Sequence, residues 1–423
     1  MNDYPDEKAA ARAPGVYFEE VAPTRDREFR TGIPLMVGFA EWHDDPPVGR
    51  HVHCPDLKRR RIVRTLTSWE ESAQSIKAVA LGGFLDYAIR GFFENGGGKC
   101  IAVLLSGIDM GPAAIETLKK LFEDGGLLES FPEVMEADLV CVPDIMKKEI
   151  LASPDTAREL QEIVLDYCRR MGDRFAILDC GHISTPESSL KDLLVYALDW
   201  REKLTNRALL KAGAAYYPWL RVKPLPHHRH LSAVMVPACG HVAGIYARSD
   251  ARFGVHKAPA NEIVEGVLDL EVRLTDEEQI KLNTVGINGL RSFPGRGIRV
   301  WGARTLSGES DWIYVNVRRS VLTLVRWCER NFDDLVFEPN GPQLWNRVRD
   351  RLGAYCSTLF QKGALKGGSA GEAFFINCDE ETNTLDDRES GRMICEVGLA
   401  PVTPAEFVIV RITCSVDGIT ATI

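Results

Sequence analysis

Apolar and polar positions alternate along most of the chain in blocks that predict strands and helices in turn. Between residues 33 and 222, apolar runs of strand length are separated by segments whose apolar residues recur at helical spacing. Fully apolar strands that alternate with amphipathic helices are typical of a wound, largely parallel sheet, so the sequence predicts an α/β fold. The predicted strands are "IPLMVGFA", "KCIAVLL", "ADLVCVPD", "RFAILDCG" and "AAYYPWLRV". The helix "GFLDYAIRGFFENGG" places these residues on one face: Phe84, Tyr87, Ala88, Gly91 and Phe92.

A second unit is predicted to begin near "HKAPAN" at residues 256–261. There the pattern changes to a hairpin turn at Pro294–Gly297, followed by the helix "SVLTLVRWCERNF". Asn340 and Pro342 indicate an N-cap and a first-turn proline for a further helix, Pro342–Phe360. The apolar stripe of that helix consists of Leu344, Trp345, Val348, Leu352, Tyr355 and Leu359.

Two strand-like segments stand apart from these units. "PGVYFEEV" (Pro14–Val21) is isolated by charged sequence, and a long terminal strand runs from about Glu406 to Thr413. A lone strand cannot satisfy its own backbone hydrogen-bonding groups. We therefore expect the first to pair with a sheet in this subunit or another, and the second, left unpaired, to invite association.

Composition limits the classes of function. The chain has 423 residues, more than one growing core supports, which predicts two domains. Its net charge of −9 argues against a nucleic-acid-binding surface, and the short basic run Lys58–Arg61 is interpreted as a solvated loop. Neither a signal-peptide core nor an apolar run of membrane-spanning length is visible. Eleven cysteines without a CxxC pair predict free thiols in a reducing cytoplasm.

The glycine-rich stretch "ENGGGKC" superficially resembles a phosphate-binding loop. A P-loop would require glycine at position 93 and Ser or Thr at position 100, where the chain has Phe93 and Cys100. A helix also precedes the glycines and a strand follows them, so no helix N-terminus faces a phosphate. The stretch is therefore predicted to be a helix C-cap.

The other candidate chemical motifs are also weak. "GGSAG" (Gly367–Gly371) matches GxSxG, but a helix precedes it and a strand follows, which inverts the nucleophile elbow. The two histidine clusters show neither HExxH nor paired CxxC spacing. We therefore predict no catalytic residue, metal site or cofactor. The clusters are His51, His53 and Cys54, and His227, His228 and His230.

Taken together and in order, several motifs resemble the tail sheath proteins of contractile phage tails and related injection systems. They extend over nearly the whole chain: "PGVYFEEV", "YAIRGFFENGGGKCIAV", "AAYYPWLRV", "VPACGHVAGIYARSDARFGVHKAPAN", "RTLSGESDWIYVNVRR", "FEPNGPQLWNRVR", "GALKGGSAGEAFFINCDEETNT" and "GLAPVTPAEFVIVRI". Residues 41–67 match no motif of the family.

The resemblance implies a two-domain α/β subunit with extended terminal strands. A wound outer domain (31–257) would be inserted in an α+β inner domain formed by the N-terminal arm (1–30) and residues 258–423. Such subunits stack as six-fold rings around an inner tube, and sheath contraction drives the tube through a target membrane. The implied partners are neighbouring copies, the tube protein, and baseplate and cap proteins. Assembly in the cytoplasm would precede incorporation into a particle, without nucleic-acid binding or membrane insertion.

The resemblance also assigns roles to particular residues. The predicted N-terminal linker strand contains Gly15, Val16, Tyr17, Phe18 and Val21. Its C-terminal counterpart contains Phe407, Val408, Ile409, Val410 and Ile412. The candidate tube-facing helix is Pro342–Phe360, with Arg347, Arg349, Asp350 and Arg351 outward; the alternative is that this helix serves only core packing. A P-loop-like or hydrolytic enzyme, and a baseplate or cap protein sharing the sheath fold, remain alternative functions.

Overall fold

The computed structural model describes residues 30–42, 62–77, 83–106, 111–147, 154–181, 190–228, 230–402, 408–415 and 418–422. In its described parts, the chain from Thr31 onward is one compact unit.

The centre of the fold is an eight-stranded, mostly parallel sheet, as the alternating pattern predicted. Its strands are β1 (Pro34–Gly38), β3 (Val63–Leu66), β5 (Cys100–Leu104), β6 (Leu139–Cys141), β7 (Phe175–Asp179), β8 (Gly213–Tyr217), β12 (Ile287–Phe293) and β13 (Gly297–Trp301). They follow the order β13-β12-β8-β7-β6-β1-β5-β3, and the two edge strands are antiparallel to their neighbours. β12 and β13 form the predicted hairpin, and β12 pairs with β8. The sheet therefore continues past the predicted domain boundary at residue 257.

Smaller sheets flank the large one. β2 (Glu41–Trp42) pairs with β4 (Ile76–Lys77), and a three-stranded sheet contains β9 (Leu220–Val222), β10 (Val234–Val236) and β11 (Val267–Leu270). The C-terminal sheet is antiparallel in the order β14-β15-β16-β17. Its strands are β14 (Phe374–Asn377), β15 (Met393–Leu399), β16 (Val408–Ser415) and β17 (Gly418–Thr422).

Helices cover both faces of the large sheet. They are α1 (Trp69–Ser75), α2 (Leu85–Glu94), α3 (Pro112–Phe122), α4 (Pro154–Met171), α5 (Leu190–Glu202), α6 (Arg207–Leu210), α7 (Cys239–Phe253), α8 (Asp276–Thr284), α9 (Val315–Asn331), α10 (Pro342–Gln361), α11 (Ala370–Ala373) and α12 (Leu385–Glu389). β1 shows the division of the core: Leu35 and Val37 pack in the cluster that includes α3 and α4, and Met36 packs in the cluster that includes α2 and α7. This follows from the strict alternation of side chains along a strand.

A third core joins α9 and α10 to the C-terminal sheet. It contains Val321 and Val325 of α9, Val348 and Leu352 of α10, and Val397 of β15. The other face of α9 contributes Val315 and Leu322 to the core beside the large sheet. α9 therefore lies between the sheet and the C-terminal module and packs against both.

Three local features differ from the sequence analysis. The predicted strand "AAYYPWLRV" is divided into β8 of the large sheet and β9 of the three-stranded sheet. The N-cap of α10 is Gly341 rather than Asn340, because the Asn340 side-chain oxygen accepts from the indole N–H of Trp345 at 2.9 Å. α7 was not predicted as a helix. Residues on most of its circumference are buried, so its sequence lacks the one-sided apolar stripe that reveals a surface helix.

Candidate assembly elements

The chain enters its compact body at Thr31–Ile33, where buried groups hold the backbone. The N–H of Ile33 donates to Asp138 Oδ1 at 2.6 Å, and the N–H of Gly32 donates to Asp138 Oδ2 at 3.0 Å. Gly32 has φ +76°, and a Cβ there would lie 2.5 Å from the Cα of Ala247. Since glycine alone tolerates both the conformation and the close approach, the start of β1 is fixed against α7.

Arg319 of α9 links this entry point to α7. Its Nη2 donates to Asp138 Oδ2 at 3.1 Å and to Asp250 Oδ2 at 2.6 Å, and its Nη1 donates to Asp250 Oδ1 at 2.9 Å. All three side chains are almost fully buried. We call Asp138, Asp250 and Arg319 the entry clamp. Removal of one member of such a buried group leaves an uncompensated charge.

Burial and ion pairing have opposite effects on the pKa values of Arg319 and Asp250 in the entry clamp. Burial by itself would lower the pKa of Arg319, but the carboxylate of Asp250 raises it above the ordinary value. Burial raises the pKa of Asp250, and the charge and hydrogen bonds of Arg319 oppose that rise. The Thr31 side chain also hydrogen-bonds to Asp250, so the entry clamp also holds the first residue of the compact unit.

A second buried arginine on α9 repeats the arrangement seven residues later. Arg326 Nη1 donates to Asp173 Oδ2 at 2.6 Å and to the carbonyl oxygen of Ala137 at 2.9 Å, and Nη2 donates to the carbonyl oxygen of Met135 at 2.8 Å. Asp138 directly precedes β6, and Asp173 lies two residues before β7. Through Arg319 and Arg326, two turns of α9 are thus bound to residues just before the N-terminal ends of the neighbouring strands β6 and β7.

The predicted C-terminal linker strand lies within a sheet of its own chain. β16 contains Val408, Ile409, Val410 and Ile412, and its register places Val408 opposite Leu399 of β15. Its other side pairs with β17, which the sequence analysis did not predict. β16 therefore has a neighbouring strand of its own chain on both sides, and its role as a linker strand between subunits stays a prediction. The remaining linker residues lie outside the described residues: Gly15, Val16, Tyr17, Phe18, Val21 and Phe407.

The four residues predicted to face the tube lie on α10 away from its buried stripe: Arg347, Arg349, Asp350 and Arg351. Arg351 donates two hydrogen bonds to Asp334, at 2.6 and 2.7 Å, and Arg347 pairs with Glu338 at 3.2 Å. Acidic residues before α10 therefore neutralise much of its positive charge, and the exposed Arg349 and Asp350 lie beside a mixed-charge surface.

An exposed aromatic residue borders this surface and was missed by the sequence analysis. Phe337 has φ +71° and is 89% exposed. The left-handed conformation costs a non-glycine residue about 1–2 kcal/mol, and an exposed ring gains nothing from burial within its own chain. Phe337 therefore combines backbone strain with exposure, and no contact within the described residues offsets the strain. The sequence "LVFEPN" does not indicate that Phe337 is exposed to solvent while Leu335 is buried.

The glycine-rich stretch is a helix end, as predicted. Gly96 has φ +94°, its N–H donates to the carbonyl oxygen of Phe93 at 3.1 Å, and β5 follows at Cys100. Lys99 forms an ion pair with Glu136. The order of helix and then strand confirms the C-cap prediction and is the reverse of the P-loop arrangement.

The remaining motifs give no composite site. Ser369 follows α10 and precedes α11 and β14, the order predicted for a non-catalytic turn. His228 Nδ1 lies 2.9 Å from the hydroxyl of Tyr87. Within the described ranges, no group of three or more His, Cys, Asp or Glu residues is placed to hold a metal ion, and no helix is long and apolar enough to span a membrane. The residues His51, His53, Cys54 and Lys58–Arg61 fall outside those ranges.

The described residues form a mixed α/β protein with a large, mostly parallel sheet and a separate antiparallel sheet near the C-terminus. Two family models match the chain: the phage tail sheath protein central domain at residues 133–306, and the phage tail sheath C-terminal domain at residues 307–415. The chain belongs to the contractile tail sheath family.

Similar structures cover most of the molecule. The chain resembles the helical sheath of the anti-feeding prophage in its contracted state, with a TM-score of 0.67 and 29% sequence identity. The match covers 94% of this chain and 98% of that chain. It also resembles the contracted sheath complex of the extracellular contractile injection system PVC, with a TM-score of 0.64, 27% identity, and coverage of 94% of this chain and 96% of that one. These matches place the chain among structural sheath subunits of phage-tail-like particles.

Curated relatives align over a shorter part. The prophage major tail sheath protein of Pseudomonas aeruginosa (strain UCBPP-PA14) is 24% identical over 187 residues, which cover 41% of this chain and 45% of the relative. The chain spans less than half the length of the curated relatives it matches.

Proposed function

We propose that this chain polymerises as helically stacked hexameric rings around an inner tube, and that contraction of the resulting sheath drives the tube through a target membrane. The observation that carries the proposal is the likeness to two contracted sheath structures over 94% of the chain. Heterologous contacts that do not close into a ring extend into a helical filament. Contraction would then be a switch between two packings of rigid subunits, powered by free energy stored at assembly.

Strand exchange would connect the subunits during this switch. In the proposal, "PGVYFEEV" adds to the C-terminal sheet of a neighbouring copy, and β16 belongs to the same junction. Strand addition supplies main-chain hydrogen bonds of about 1 kcal/mol each, so many repeated junctions would hold the lattice. The entry clamp supports this role, because it fixes the chain at Thr31, immediately after the proposed arm (1–30).

The proposed tube-facing surface consists of Phe337, Arg349 and Asp350. Phe337 supplies an exposed apolar anchor, and the two charged residues of α10 supply polar contacts beside it. An aromatic anchor within a polar rim is the usual composition of a protein–protein contact. The ion pairs of Arg347 and Arg351 would keep the rest of the helix in place.

The two-domain arrangement also belongs to the proposal. Residues 1–30 and 258–423 would form the inner domain and residues 31–257 the outer one. The large sheet extends to Trp301, so the domains would share this sheet rather than meet at a flexible linker. Relative motion during contraction would then occur between subunits.

We infer a non-enzymatic role, with assembly in the cytoplasm and later residence in a particle. The partners proposed are neighbouring copies, the tube protein, and baseplate and cap proteins. Sheath relatives and the helix-then-strand order at Gly96–Lys99 support this inference. ATP turnover that disappears in Lys99→Ala would support the enzyme alternative instead.

Negative-stain electron microscopy of the purified chain, alone and co-expressed with the tube protein, tests the proposal. Long hollow cylinders are expected, whereas single rings that never extend would indicate a baseplate or cap protein. Deletion of residues 1–22 should abolish the cylinders. Val16→Pro, which removes one strand N–H, should shorten them, and Ala9→Pro, outside the predicted strand, is the matched control. Monodisperse monomers even with the tube protein would overturn the proposal.

A further inference from the structure

Two cysteines face each other across neighbouring strands of the C-terminal sheet. Asn377 pairs with Glu396 in the antiparallel register of β14 and β15, so the next residue, Cys378, lies opposite Cys395. Opposite residues of an antiparallel pair have Cα atoms about 4.5–5.5 Å apart. That separation falls within the range of about 4.4–6.8 Å that a disulfide spans. The thiols are also hydrogen-bonded to each other.

The surroundings of Cys378 favour its thiolate. The hydrogen bond from Cys395 lowers the pKa of Cys378, burial opposes this, and the side chain of Asn383 and the charge of Arg349 lower the pKa further. Asn383 is itself fixed, because it donates to the carbonyl oxygen of Ile394 at 2.9 Å and accepts from the Ile394 N–H at 2.6 Å. The thiolate is the form that attacks disulfides.

A second thiol pair provides a contrast within the same chain. Cys141 Sγ lies 3.8 Å from the carbonyl oxygen of Cys239, and the two thiols also interact. Burial raises the pKa of Cys239 well above its ordinary value. Both residues lie in the core beside the large sheet. Both pairs of thiols are therefore close in space, but the pKa of Cys378 is lowered whereas that of Cys239 is raised.

Cys378 also lies next to an edge strand of the C-terminal sheet. It directly follows β14, which is the edge strand of its sheet and has half-buried side chains. Edge strands and short terminal elements open at lower free energy than central strands. Although Cys378 is only 1% exposed, release of β14 would bring its sulfur to solvent without disruption of the central sheet.

We propose that Cys378 and Cys395 form a cross-strand disulfide by exchange with a small-molecule disulfide, which locks β14 onto β15. The Cys378 thiol loses its proton and attacks one sulfur of the small molecule, whose S–S bond breaks and whose leaving thiolate takes up a proton. Cys395 then loses its proton and attacks the Cys378 sulfur, releasing the second small-molecule thiolate, which is also protonated. Two protein thiols are oxidised and one small-molecule disulfide is reduced to two thiols.

The inference stands apart from the proposed sheath role, because it concerns the purified chain. The full chain is incubated with oxidised glutathione under native conditions, remaining thiols are blocked with iodoacetamide, and peptides are mapped by mass spectrometry. The expected product is a linked peptide joining Cys378 and Cys395, while Cys141 and Cys239 stay alkylated. The midpoint of thermal unfolding should rise by several degrees, and amide exchange of β14 should slow.

Two variants test the order of events. Cys395→Ala should trap Cys378 as a mixed disulfide with glutathione, and Cys378→Ala should leave Cys395 unmodified. The wild-type peptide map does not depend on whether these variants fold. The inference is overturned if both thiols stay reduced in the native protein, or if Cys141 and Cys239 oxidise first. Reaction only at denaturant concentrations that unfold the chain would overturn it as well.

Discussion

Asp138→Asn is a direct test of the entry clamp, because the change keeps the size of the side chain and removes its charge. The carboxylate accepts three hydrogen bonds: one from Ile33 N–H at Oδ1, and two at Oδ2, from Gly32 N–H and Arg319. Asparagine retains one acceptor oxygen and replaces the other with an amide donor. Asparagine loses the fewest hydrogen bonds when its oxygen occupies the Oδ2 position, which accepts from both Gly32 and Arg319. Its amide group then faces the N–H of Ile33, donor against donor.

The structure sets the magnitude of this loss. A buried N–H left without an acceptor costs about 1–3 kcal/mol, and the weaker bond from Arg319 to a neutral oxygen adds on the order of 1 kcal/mol. Arg319 keeps its two bonds to Asp250, so the full cost of an unpaired buried charge does not arise. We therefore expect Asp138→Asn to lower the free energy of unfolding by about 3 kcal/mol.

Urea unfolding, followed by tryptophan fluorescence, measures this difference, and amide hydrogen exchange locates it. Exchange should accelerate at Ile33 and at the start of β1 more than in α4. Asp199→Asn is the matched control, since Asp199 is 50% exposed and pairs with Lys203 on the surface of α5. Such a pair contributes about 0–1 kcal/mol. If the two variants lose equal stability, or if exchange at Ile33 is unchanged, Asp138 does not hold the entry to β1 and the clamp argument fails.

Three further predictions concern other parts of the fold. Burial, with the charge of Arg90 adding to it, lowers the pKa of His241 from 6.5 to about 3, so the unfolded chain binds the proton first as the pH falls. The contribution of neutral His241 to the free energy of unfolding is complete at high pH and is lost as the pH falls below 6.5. In urea titrations, the free energy of unfolding of the wild type should therefore fall by about 2 kcal/mol more than that of His241→Leu between pH 8 and pH 5. Gly240→Ala should destabilise the chain by about 1–3 kcal/mol or more, because its Cβ would lie 2.3 Å from the carbonyl oxygen of Ala88, whereas Gly98→Ala, with open space around it, should be nearly neutral in the same assay. Phe337→Asn should raise the unfolding midpoint by relieving about 1 kcal/mol of backbone strain, and unchanged or lower stability would show that the strain argument is wrong.

Local pattern was sufficient to predict seven of the eight strands of the large sheet and several helices that cover it, whereas β3, α1 and α8 were not predicted. The burial of Leu344, Trp345, Val348 and Leu352 in α10 confirms the periodic stripe, because an amphipathic helix has only one side to bury. α7 was not predicted as a helix, because it is buried on most sides and therefore lacks a one-sided apolar stripe. β17 was missed although Ile419 and Ala421 alternate with threonines, because the terminal strand was predicted to end at Thr413 and no partner was sought beyond it.

The candidate assembly elements were less accessible from the sequence, for a different reason. The hydrogen bonds between Asp138 and residues 32 and 33 span more than a hundred positions, and those between Arg319 and Asp138 span 181. Neither residue type is unusual in its local sequence; only the topology brings them together. The resemblance of motifs identified the family, but the charge balance of α10 and the exposure of Phe337 depend on how Asp334 and Glu338 are placed before the helix.

If the terminal strands join neighbouring subunits as proposed, the contacts of α9 would let each subunit move as one rigid body. A force applied to residues before Thr31 reaches Asp138, and through Arg319 it reaches α9. Arg326 binds the next turns of α9 to the loops that precede β6 and β7, and the third core joins α9 to β15, the neighbour of β16. The proposed arm and the proposed C-terminal linker strand are thus connected through buried ion pairs and a packed core, without a flexible segment of α9 between them. Since packed cores deform little, such a path would favour rotation of whole subunits over internal stretching in the proposed contraction.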